Sequence, residues 1–156
     1  EGTDMPVKLE KVLYAAEAVV EGGRGGHGRS SDGRLEVDLS PPEGLGKGGS
    51  GTNPEQLFAV GYAACFQSAL LSVAAGRQLD MSGCQITARV QLGPTGHGGF
   101  GLSVARDLHS PHLEPAVGAE LMPRAHELCP YSNATRGNIE VVLMVEGRPV
   151  DDHRSN

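Results

Sequence analysis

Three cysteines dominate the side chains able to do covalent chemistry: Cys65, Cys84 and Cys129. A cysteine thiolate is a nucleophile, but the free thiol ionises near pH 8.5, so a catalytic one needs a cation or comparable partner. Cys65 lies in the most apolar stretch of the chain, where a plain core role competes with a nucleophilic one. Cys129 directly precedes Pro130, a position that ends helices and is usually accessible, so it reads as an incidental thiol or as a resolving partner. His126 and Cys129 also have helical ligand spacing, but no second clustered pair supports zinc, and no metal is expected. Cys84 follows Gly83 at a strand start and reads best as an inert thiol. Arg24 stands in Gly22-Gly23-Arg24-Gly25-Gly26, where glycines let the backbone approach another element closely. Glu55 opens an apolar run and by itself reads best as a capping or helix-dipole carboxylate in the first turn.

The elements that must position these residues follow from periodicity. Leu35, Val37 and Leu39 alternate with polar residues, as do Ile86 to Leu92, Phe100 to Val104 and Ile139 to Val145. Alternation of this kind marks half-buried strands, most often antiparallel. A less regular strand is expected over Val12 to Val20. The first helix starts at Thr52-Asn53-Pro54-Glu55, by an Asn53 cap with Pro54 in the first turn or by a Thr52–Glu55 capping box. It runs to about Gly76, apolar nearly all round, and should therefore be central and buried. A second helix spans about Glu114 to Cys129, where Pro123 should kink or split it at about 3 kcal/mol. Glycines gather between Gly22 and Gly51 and between Gly93 and Gly101, in turns. The class is α+β, with one domain over residues 1–156.

Composition removes several functions. Aromatics make 4% of the chain, tryptophan is absent and the net charge is −6, which argues against nucleic acid. No apolar run approaches the roughly 18–20 residues that a membrane-spanning helix needs, and the first residues are read as lacking a signal-peptide pattern. Three widely spaced cysteines fit reduced thiols in the cytoplasm rather than a secreted disulfide framework. The glycine-rich Gly44 to Gly49 run lacks the residue after Lys47 that a phosphate loop needs.

Three segments change the weight of these readings. Gly51-Thr52-Asn53-Pro54-Glu55-Gln56-Leu57-Phe58, Gly61-Tyr62-Ala63-Ala64-Cys65-Phe66 and Cys129-Pro130-Tyr131-Ser132-Asn133-Ala134-Thr135-Arg136-Gly137-Asn138 closely resemble the organic hydroperoxide resistance proteins, the Ohr branch of the Ohr/OsmC family of bacterial thiol peroxidases. The likeness extends over roughly Val12 to Val145, leaving the N-terminal lead and residues 147–156 unmatched. It implies an intertwined homodimer, with antiparallel sheets wrapped around central helices and active sites at the interface. Cys65 then matches the peroxidatic cysteine, Cys129 the resolving one, Arg24 the thiolate-stabilising arginine and Glu55 the carboxylate that orients it. The resemblance further implies alkyl and fatty-acid hydroperoxides as substrates, no bound cofactor, and a lipoylated protein carrying dihydrolipoamide as reductant. Cys84 and Pro123 are departures from its motifs.

The chemistry can be rebuilt from the residues. An arginine is always charged and offers a planar fork of donors, and a carboxylate can hold that fork bidentately. An ion contact of about 2 kcal/mol would bring a thiol's pKa down by about 1.5, toward neutrality. Glu55 and Cys65 are ten residues apart, about 15 Å along one helix, with side chains about 80° apart. Arg24 and Glu55 are therefore expected to serve the Cys65 of a second copy. Leu57, Phe58, Phe66, Leu70 and Leu71 are expected to wall an apolar slot favouring organic over hydrogen peroxide. Two other classes stay open: a Cys-His acyl hydrolase using Cys65 with His126 or another histidine, and a non-catalytic lipid- or redox-binding module.

Overall fold

A computed structural model of the chain describes residues 6–150. The fold is α+β, and the chain divides into two compact units, Glu1–Asn53 and Pro54–Asn156.

The first unit carries an antiparallel sheet of three short strands, β1 (Ala18–Glu21), β2 (His27–Ser30) and β3 (Glu36–Asp38), in that order. Of the expected Val12–Val20 strand only the end forms, because β1 begins at Ala18, where pairing with Ser30 starts. The β1–β2 connection is a 3-10 turn over Gly23–Gly25. Its sequence is fixed by space: a Cβ on Gly26 would lie 1.7 Å from the Glu21 carbonyl oxygen, and Gly22 holds φ 85°. Glycine is the residue that adopts such a backbone without strain, and the outcome is that Arg24 sits at an exposed turn tip. On the sheet, His27 bonds Asp38 through Nδ1 at 2.8 Å and Glu36 through Nε2 at 3.0 Å.

The second unit sets helices against a four-stranded sheet. Helix α1 (Pro54–Ala75) opens at the proline, as its start signal predicts. Strands β4 (Gln85–Pro94) and β5 (Phe100–His109) form a long hairpin, with Ile86 opposite Leu108 and Val90 opposite Val104. Helices α2 (Pro115–Leu128) and α3 (Pro130–Thr135) then cross over to β6 (Val141–Val145), and β7 (Arg148–Pro149) turns back on it. The sheet order is β4-β5-β6-β7. Strand β6 runs parallel to β5, from Val104 opposite Val141 to Leu108 opposite Val145. Alternation predicts antiparallel neighbours here, but it records only which side chains face in. Direction is set by the connection, and a helical crossover delivers a parallel strand.

The core lies between α1, α2 and the sheet. Tyr62, Phe66, Leu70 and Ala74, four residues apart on α1, are fully buried with Leu108, Leu121, Met122 and Leu143. Fully burying one such side chain contributes about 1.5–3 kcal/mol. Burial of α1 is one-sided within the chain, contrary to the expectation of a helix enclosed all round: Val60 is 70% and Leu71 42% exposed. The same helix, 22 residues with a mean hydropathy of 1.7, is by length and composition apolar enough to cross a membrane, which corrects the reading that no such run exists. Its packing against β4 and α2 covers one face of that helix. Helix α2 runs unbroken through the buried Pro123. Gly118 brings α2 close to the sheet, where a Cβ would meet Leu108 and Val145 side chains at 3.2 Å.

Candidate active site

Cys129 occupies the break between α2 and α3. Its φ of −69° and ψ of 124° are extended, the conformation that a following proline imposes. That break turns the side chain into the core: Cys129 is fully buried, not accessible as its place before Pro130 suggests. Across from it, half-buried Cys65 on α1 brings its Sγ to 3.6 Å from the Cys129 Sγ. The two are not joined in a disulfide. A disulfide bond is about 2.05 Å long, so the sulfurs need close by only about 1.5 Å to join.

The Cys65 thiol is pushed above its ordinary range, first by burial and further by the neighbouring Cys129 thiol. The Tyr131 backbone N–H, donating to the Cys65 sulfur, pulls the other way without reversing the balance. Beside Cys65 is an open groove of about 410 Å³ lined by Ser68, Ala69, Ser72, Leu128 and Pro130.

A polar cage lies behind Cys129. The fully buried Arg106 guanidinium sits 4.5 Å from the Tyr62 ring centre and 4.4 Å from that of Phe66. Its Nη1 donates to Ser132 Oγ at 2.7 Å and its Nη2 to His126 Nδ1 at 3.0 Å. The Tyr62 hydroxyl donates to Ser132 Oγ at 3.1 Å and lies 2.9 Å from Thr135 Oγ1. Arg136 donates to the His126 carbonyl and to Asn133 Oδ1. Phe58, Tyr62 and Tyr131 complete an aromatic cluster, with ring centres 5.6–6.2 Å apart.

The expected site residues thus fall in three places. Cys65 and Cys129 meet in the second unit. Glu55 lies in the first turn of α1, half-buried, and Arg24 on its turn in the first unit. Of the expected apolar wall, Phe66 and Leu70 are fully buried in the core and give the groove no surface. Leu57 and Phe58 are half-buried on α1, and Leu71 is exposed. Apolarity alone does not distinguish a core stripe from a pocket wall. His126 directs its Nδ1 to Arg106. Cys84 accepts a bond from Gln67 Nε2 at 3.3 Å. Among the described residues no three His, Cys, Asp or Glu side chains converge as metal ligands. Sequence reasoning missed Arg106. Its signal was present, because Val104, Arg106 and Leu108 share one face of β5 and the two flanking residues are buried.

The matched family model is that of OsmC-like protein, over residues 46–144. The chain is 51% identical over 136 residues to the organic hydroperoxide resistance protein of Xanthomonas axonopodis pv. citri, covering 86% of this chain and 95% of that one. The crystal structure of the organic hydroperoxide resistance protein OhrB of Bacillus subtilis superposes with a TM-score of 0.80 at 42% identity, covering 86% of this chain and all of that one. One from Elizabethkingia anophelis gives 0.81 at 45% identity, covering 86% and 97%. With the same fold and this degree of identity over most of its length, the chain belongs to the OsmC-like family, among the organic hydroperoxide resistance proteins.

Proposed function

We propose that the protein is a thiol peroxidase that reduces organic hydroperoxides to alcohols, with Cys65 as the attacking residue and Cys129 as the resolving one. The 3.6 Å approach of their sulfurs carries this reading. The Cys65 thiolate attacks the hydroperoxide O–O bond: an S–O bond forms, the O–O bond breaks, and the alkoxide leaves as the alcohol after taking a proton. Cys129 then displaces hydroxide from the Cys65 sulfenic acid, giving a disulfide and water before further oxidation can occur. A dithiol of the dihydrolipoamide type, carried on a lipoylated protein, returns both thiols to the reduced state.

The upward push on Cys65 within its own unit means that a cation must be supplied for the thiolate to form. We assign that role to Arg24, with Glu55 orienting its guanidinium. Because Glu55 and Cys65 lie ten residues apart on the unbroken α1, about 15 Å, the pair is assigned to the Cys65 of a second copy in a homodimer. The substrate's alkyl chain lies in the groove of Ala69, Leu128 and Pro130, with Leu57, Phe58 and Leu71 available to extend it. Each buried methylene adds about 0.8 kcal/mol that hydrogen peroxide cannot gain. The family and these thiols suit a single OsmC-like domain working in the cytoplasm.

The deciding experiment is a thiol titration after one equivalent of an alkyl hydroperoxide, followed by peptide mapping. The reading requires the three free thiols to fall to one, with Cys65 joined to Cys129. Survival of all three removes the peroxidase reading, and a Cys84 adduct removes Cys129 as the resolving residue.

A further inference from the structure

Arg106 has no part in that scheme, yet it is the most costly side chain in the core. Its guanidinium is fully buried, and its Nε has no hydrogen-bond partner among the described residues. Its bonds to Ser132 and His126 go to neutral acceptors. A buried cation is normally retained only when paired with an anion. The charged or titratable groups acting on it are Tyr62 from α1, Cys129 from the α2–α3 break and Arg136 beyond α3, with His126 of α2 in direct contact. No carboxylate is among them. Nδ1 of His126 accepts a bond from Arg106, and Arg136 is itself a cation. The Tyr62 hydroxyl acts on Arg106 and is also bonded to Ser132 and Thr135. Of Tyr62 and Cys129, the two groups able to bear a compensating negative charge, Cys129 is the one that gives up a proton in the scheme above.

The two bonds are placed to match. His126 lies three residues before Cys129 and Ser132 three residues after it, so the guanidinium ties together the two helices that meet at the cysteine. We propose that Arg106 is a positioning residue for the resolving step, clamping the break at Cys129 and offsetting the negative charge on its sulfur as it attacks oxidised Cys65. In that step the Cys129 thiol gives up its proton, and an S–S bond forms as the Cys65 S–O bond breaks. Hydroxide leaves and is protonated to water. The Cys129 sulfur is oxidised and the Cys65 sulfur reduced. The inference rests on the peroxidase reading of the two cysteines.

The test uses the full chain with cumene hydroperoxide, comparing the rate of Cys65–Cys129 disulfide formation with that of Cys65 oxidation in the same sample across pH. Arg106→Met removes the charge at similar volume, and Arg106→Lys keeps it; Arg106→Gln replaces the methionine variant should that not fold. Losing a charged bond predicts that R106M lowers the ratio roughly 10- to 100-fold and accumulates Cys65 sulfinic acid under excess hydroperoxide. The pH midpoint of disulfide formation should rise by about one unit in R106M, the equivalent of a tenfold change, and stay near the parental value in R106K. An unchanged ratio in a folded R106M overturns the proposal. So does equal slowing of both variants with no movement of the midpoint, which would mean packing alone. Absence of any Cys65–Cys129 disulfide in the parental protein sinks the peroxidase reading itself; variants indistinguishable from a parent that forms it sink only the role of Arg106.

Discussion

Ser132→Ala probes the polar cage directly. The Ser132 Oγ is buried and accepts from Arg106 Nη1 at 2.7 Å and from the Tyr62 hydroxyl at 3.1 Å. A charged hydrogen bond contributes about 1.5–3 kcal/mol and a neutral one about 0.5–1.5 kcal/mol. The Tyr62 hydroxyl keeps Thr135 as a second partner, so its share falls at the low end. The expected loss is about 2–4 kcal/mol, most of it from leaving a guanidinium N–H unsatisfied. Tyr62→Phe removes a donor but leaves Ser132 accepting from Arg106, and should cost only about 1 kcal/mol. In an Arg106→Met background, Ser132→Ala should also cost only about 1 kcal/mol, because the charged donor is gone. Urea unfolding under reducing conditions, at one protein concentration, gives all of these values from midpoints at a common slope. A Ser132→Ala loss below about 0.5 kcal/mol, or one that is the same with and without Arg106, refutes the reasoning.

Three further outcomes can be checked. Cys65→Ser should abolish hydroperoxide consumption, whereas Cys129→Ser should still oxidise Cys65 but carry it on to sulfinic acid, as mass spectrometry of the peptides would show. The His27 imidazole should titrate above the ordinary 6.5, held up first by Asp38 and then by Glu36. Its contribution to the β1–β3 sheet is therefore complete below 6.5 and is lost as pH rises through the folded value. An NMR titration of the ring checks this, and Asp38→Asn should lower the midpoint most. Glu146 is held below the ordinary carboxylate value of 4.5, first by His109 and then by the Ser110 backbone N–H. Its contribution is present above 4.5 and disappears as pH falls through the folded value. Glu146→Gln should therefore flatten the acid-side fall in stability measured by urea midpoints.

Local signals made most of the framework legible. Pro54 after Asn53 marked the start of α1, and period-two alternation located β4, β5 and β6. The residues around Cys65 and Cys129 identified the thiol pair before any geometry was known. What escaped depends on long-range placement. A proline after Cys129 announces a helix break, but whether the break faces water or core depends on what α2 packs against. Alternation cannot give strand direction, so the parallel β5–β6 pairing was hidden. Arg106 occupied an inward position of β5, yet a charged residue at such a position ordinarily means the pattern has ended. Its neutral acceptors, His126 and Ser132, lie 20 and 26 residues away, too far to be recognised as partners.

The crossover from β5 to β6 also separates contacts that close locally in this unit from those that do not. The β4–β5 and β6–β7 pairs are hairpins that close locally, the second through a turn with positive φ at Glu146 and Gly147. Pairing β5 with β6 requires everything from Ser110 to Glu140 to be looped over first, and non-local pairing of this kind is slow. Cys129 lies on that loop, whereas Cys65 belongs to a helix that packs against the β4 strand of the first hairpin. The two sulfurs, 64 residues apart in sequence, become neighbours only once α2 and α3 have packed against α1. Until then an oxidant meets Cys65 with no second thiol at hand, so a newly made or partly unfolded chain is more open to irreversible sulfur oxidation than the mature one.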